Sequence, residues 1–152
     1  MKTALGLILL ATHLTTCREE VKPVQQEAKI KVADLNGVWI LAGPQSDNGQ
    51  LLNINNGKIE GSTINVTEYF KSGEGKTPAF SAKINAINAT MIDLELTGPQ
   101  PESYWIVAPG QYDFELRQEP AGDVLWIDFF RRPELKAAGF WYHKLDPAPK
   151  NN

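Results

Sequence analysis

The sequence predicts an all-β fold, a single antiparallel domain of about eight or nine short strands, on three observations. From Leu35 onward, apolar and polar residues alternate with period two, the pattern of strands with one buried and one wet face. Turn residues interrupt these runs at the short spacing expected of a barrel or sandwich. Helical periodicity is confined to one short stretch, ELKAA, between Pro133 and Ala138 and just before Gly139.

Taken in order, DLNGVWIL at residues 34–41 supplies the first strand. Asn56-Gly57, between LLNIN and KIEG, marks a hairpin, because both residues tolerate positive φ. Phe80, Ala82, Ile84 and Ala86 then share one face against Ser81, Lys83 and Asn85. After a weaker turn at Asn88-Ala89, Thr90, Ile92, Leu94 and Leu96 alternate with Met91, Asp93 and Glu95. Pro99-Gln100-Pro101 ends that run, since proline removes a ladder donor. Tyr112, Phe114 and Leu116 alternate with Asp113, Glu115 and Arg117, and Glu119-Pro120-Ala121-Gly122 closes the strand. The last two stretches, VLWIDFF and GFWYHKL, are apolar on both faces. They predict a strand pair with one face toward the interior and the other covered or meeting a partner.

Gly37-Val38-Trp39 at the head of the first strand resembles the Gly-x-Trp opening of lipocalin-like and other calycin barrels. That resemblance implies an up-and-down antiparallel barrel of about eight strands over residues 34–146. It also implies that Trp39 packs across the closed end against a late-strand arginine, with Arg131 or Arg132 as the candidate.

Ahead of the domain, Lys2 and the apolar run Ala4 to Ala11 have the layout of a signal peptide, too short for a spanning helix. Leu14-Thr15-Thr16-Cys17 resembles a bacterial lipobox. This implies a leader over 1–16, a lipidated Cys17 as the new N-terminus, and a protein held in the membrane by its acyl chains. Cys17 is the sole cysteine, so it has no disulfide partner, and acylation removes an exposed thiol. Arg18 follows it in place of a retention aspartate, which implies the outer membrane of a bacterial envelope. Residues 17–33 carry charge and a proline without an apolar stripe, the composition of a solvated tether. Residues 147–152 are a short polar tail.

The formal charge is −3, from 15 basic and 18 acidic residues, and there is no basic block. A nucleic-acid interface is therefore not expected. Ser72-Gly73-Glu74-Gly75-Lys76-Thr77 ends like a phosphate-binding loop, but Phe70 stands where a glycine is required, and Pro78 and a strand follow where a helix is required. The expectation is a flexible hairpin loop. His143 is the only histidine outside the leader, so zinc sites and nucleophile–histidine pairs lack parts, and a half-buried packing role is expected. The pairs Asp93/Glu95 and Asp113/Glu115 fall on outward faces, where no burial separates their pKa values for glycoside chemistry. Asp128 is the one acid in an apolar strand and needs an internal partner, such as Arg131 or Tyr142, or a ligand.

No cofactor and no metal are expected. The reading is an anchored, non-catalytic binding module with Asp128, Arg131 and His143 as candidate site residues. Its expected partner is an envelope or toxin protein, as for an inhibitor or immunity protein. A small apolar ligand in the barrel, or an accessory role in an envelope complex, are the alternatives.

Overall fold

The computed structural model describes residues 29–43, 46–100 and 107–145. The expected leader, Cys17, most of the expected tether, Trp105 and residues 147–152 lie outside the described residues.

A 3-10 turn, Val32–Leu35, leads into eight strands: β1 Gly37–Ala42, β2 Asn48–Asn55, β3 Lys58–Asn65, β4 Lys76–Ile87, β5 Met91–Leu96, β6 Gly110–Arg117, β7 Val124–Ile127 and β8 Tyr142–Leu145. Each pairs antiparallel with the next, and β8 pairs with β1, so the sheet closes into an up-and-down barrel of lipocalin-like architecture. Closure removes both sheet edges and their unpaired backbone groups.

The β1–β2 register sets Trp39 opposite Leu52 and Leu41 opposite Gln50, all pointing inward. Trp39, Leu52, Ile54, Ile59, Phe80, Ile92, Leu94, Phe114, Leu125 and Tyr142 belong to one continuous buried core. Gly61 lies opposite Phe80, and a side chain there would enter the ring itself. Only glycine fits, and the β3–β4 ladder slips by a bulge at that point. At Asn56-Gly57 both φ angles are positive, 48° and 80°, which matches the right-handed twist of the flanking strands. Asn88 closes the β4–β5 turn with its side-chain oxygen, which accepts from the amides of Thr90 and Met91. Thr90 therefore sits in the turn and not in β5, and the bulge near Ala86 turns that residue outward.

Among the described residues, two α-helices lie outside the barrel wall. α1, Val66–Ser72, was not expected. Asn65 caps it by accepting from the Glu68 amide at 2.9 Å, and Gly73, at φ 74°, ends it. The run SGEGK thus supplies a helix stop and a return turn within the β3–β4 connection. Tyr69 of α1 covers Ile40, Leu51 and Ile64, which form a second apolar cluster on the outer face. α2, Glu134–Ala137, falls within the one stretch expected to be helical.

The connections alternate between two ends. The 3-10 turn and the β2–β3, β4–β5 and β6–β7 turns close one end. The β1–β2, β3–β4, β5–β6 and β7–β8 connections surround the other.

Candidate functional site at the barrel mouth

At the closed end, Trp39 is fully buried and its indole N–H donates to the Leu35 carbonyl at 2.8 Å. The cation over its ring is Lys144, 5.2 Å from the centroid and 3.6 Å from Asp123. Arg131 and Arg132 do not fill this role: Arg131 lies over Tyr112 at 5.5 Å, and Arg132 pairs with Glu134 at 2.8 Å. Both arginines sit in the β7–β8 connection at the opposite end, because β7 stops at Ile127. The Lys144 stem crosses Gly37, whose φ of 142° and lack of a side chain admit it.

At the other end the chain after β7 turns back over the mouth. Phe129 enters the barrel and meets Phe80 and Tyr112 edge-on, each at 5.5 Å. Asp128 is buried and its carboxylate accepts from the Arg132 amide at 2.6 Å. Its partner is therefore a backbone donor four residues on, not Arg131 or Tyr142, and the bond fixes the turn that seats Phe129. Arg131 takes the left-handed conformation at φ 52°, so backbone freedom is spent at this turn. His143 is exposed on the outer face, not half-buried, because Tyr142 takes the inward position of β8. Asp128 and Arg131 thus line one cleft together with Tyr112 and Pro133, while His143 stands apart on the outer face.

Beside the Phe129 plug, the mouth holds a cup of about 550 Å³. Leu41, Leu135, Phe130 and Phe140 provide its apolar walls. Phe130 and Phe140 remain 38% and 48% exposed, which is uncommon for side chains of this size. Gln50 lies in the wall and is 93% buried, given its 7% exposure. Its amide oxygen accepts from the Tyr142 hydroxyl at 2.6 Å. Gln50 was not singled out from the sequence, although the inward parity of Gln50, Leu52 and Ile54 in β2 placed a polar group among core positions.

The outer side of the same segment is clamped. Lys136 of α2 is ion-paired with Glu115, which also binds Arg117. Lys136 lies 4.9 Å from the Trp126 ring centroid, and Arg117 lies 4.4 Å from that of Trp141. The Trp141 N–H donates to the Lys136 carbonyl at 3.0 Å. The outward apolar face of β7 is therefore covered from within the chain. Burial opposes ionisation of Glu115, but the Lys136 and Arg117 hydrogen bonds and charges together outweigh it and hold its pKa below the usual carboxylate value.

The phosphate-loop-like stretch sits elsewhere. A helix precedes the loop and none follows, so the loop meets the electronegative end of α1 and not an N-terminus that would favour phosphate. Among the described residues, no group of three or more His, Cys, Asp and Glu side chains is placed to hold a metal ion. Also among them, no helix is long and apolar enough to cross a membrane. No protein-family profile, curated protein or solved structure matches the chain.

Proposed function

We propose that this chain is a lipid-anchored binding protein of the bacterial cell envelope, without catalytic chemistry, and that the mouth cup is its binding site. The carrying observation is the cup itself: about 550 Å³ of apolar-walled space with Phe130 and Phe140 exposed at its rim. Its volume falls within the few hundred to about a thousand Å³ typical of small-molecule sites, and its mostly apolar wall with few polar groups has their chemistry. The reading of protein recognition gives way to that of a small apolar ligand, because the aromatic late strands cover one another through α2 and are not left as a flat sticky face. Such a ligand occupies the mouth, since core side chains fill the interior below it. The anchor and the envelope location are supported by the leader and the Leu14–Cys17 stretch.

The test is titration of the whole chain carrying Cys17→Ser, which keeps its own acyl chains out of the assay, with a polarity-sensitive apolar fluorophore. Saturable binding is expected, weakened about tenfold or more by Phe140→Ser, since removing an aromatic wall forfeits apolar contact. Binding unaffected by Phe140→Ser and by Phe130→Ser would overturn the assignment to the cup.

A further inference from the structure

We infer that the ligand of the cup is an apolar molecule with a hydrogen-bond acceptor oxygen, a carbonyl or carboxylate, at its inserted end, and that Gln50 selects it. This inference rests on the binding role proposed for the cup. The Gln50 side chain carries one acceptor oxygen and two N–H donors. The Tyr142 hydroxyl occupies the oxygen and, together with burial, orients the amide. Among the described residues the N–H donors have no partner, and Gln50 is one of the residues that line the cup. A group this buried is ordinarily satisfied.

In the open cup, water can reach those donors. A ligand that fills the cup expels that water and must replace its hydrogen bond, or it leaves a buried donor unpaired at a cost comparable with the bond itself. An alkyl end or an ammonium cannot do this; a carbonyl or carboxylate oxygen can. The charge of the wall agrees. Among the described residues no Asp or Glu lines the cup, and Arg132 supplies the one charged side chain in its lining, so a carboxylate meets no like charge from them. Depth sets the orientation: Gln50 is 7% exposed and Phe140 is 48% exposed, so the oxygen goes in first and the hydrocarbon lies against the rim phenylalanines.

The experiment is calorimetric titration of the whole chain carrying Cys17→Ser with four ten-carbon probes: decanoate, decan-2-one, decylamine and decane. Decanoate and decan-2-one should bind about tenfold or more tightly than decane and decylamine, the worth of one hydrogen bond in a closed site. Gln50→Leu should erase that preference and keep decane binding. Gln50→Glu, which removes the donors and adds a negative charge, should expel decanoate and favour decylamine. The probe series on the parent can overturn the selection even where a variant fails to fold. Equal binding of all four by the parent overturns the selection by Gln50 and leaves the cup as an apolar site. No binding of any of the four overturns the cup reading with it. A preference that survives Gln50→Leu with an unchanged melting temperature places the donor elsewhere and overturns the role of Gln50.

Discussion

Trp39 shows how one residue joins several links of the chain from sequence to fold. Its ring fills the closed end and its N–H satisfies the Leu35 carbonyl, while Lys144 stacks on it and reaches Asp123. Trp39→Ala should therefore destabilise the domain by about 3–5 kcal/mol in urea denaturation, the usual cost of emptying a large aromatic site. Trp39→Phe keeps most of the packing but leaves the Leu35 carbonyl unpaired, and about 1–3 kcal/mol is expected for that group. An unchanged denaturation midpoint for Trp39→Ala would place the energy of the closed end elsewhere. Two asparagine side chains act in the same local way: Asn65 caps α1 and Asn88 closes a turn.

At the scale of elements, the β7–β8 connection supplies much of the proposed site. Its inner side offers Phe130, Leu135 and Phe140 to the cup, while its outer side is held by Glu115, Lys136, Arg117 and Trp141. A four-residue helix has no intrinsic stability, so these tertiary contacts position it. The clamp has a definite pH dependence. The folded pKa of Glu115 is depressed, so its stabilising contribution is complete above the ordinary glutamate pKa of about 4.3 and disappears as pH falls through the lower folded value. Tryptophan emission should therefore change on acidification below about pH 4.3, as Trp126 and Trp141 lose the Lys136 cation and α2 loosens. In Glu115→Gln that change should be absent. Identical acid profiles for the parent and Glu115→Gln would show that the ion pair does not hold the segment. The clamp is partly exposed, so screening by salt should weaken it.

For the whole molecule, the alternation of connections separates two roles. The chain enters through the 3-10 turn at the closed end, where the Asn56 amide donates to the Asn36 side chain, and the cup opens at the other. A protein anchored through Cys17 is therefore expected to present its cup away from the point of attachment. Cys17→Ser should move the protein from the membrane to the soluble fraction or block its processing. In the lipidated parent carrying Phe140→Cys, the introduced thiol should react with a bulky polar maleimide while the protein stays membrane-bound. Cys17→Ser protein that still fractionates with membranes would remove the anchor from the proposal. An introduced thiol that reacts only after detergent extraction would reverse the proposed orientation.

Period-two alternation with turn residues between the runs determined that the domain is antiparallel sheet, because an inward position must be apolar wherever the next one faces water. Asn56-Gly57 determined a hairpin for a reason equally local, the φ angles its two residues accept. Gly37 and Trp39 were legible as a barrel opening, yet the cation over the indole was not. Lys144 reaches Trp39 only because β8 closes against β1, a pairing between opposite ends of the domain's chain. α1 escaped notice for the opposite reason. Its seven residues are too few for a helical period to stand out, and Tyr69 gains its value from an outer apolar cluster assembled by three strands. The cup was likewise a decision of the tertiary structure. Leu41 and Gln50 come from β1 and β2, and Phe130 and Phe140 from the far end of the chain. Only barrel closure brings them to one rim, since a concave site depends on distances that no stretch of sequence carries by itself.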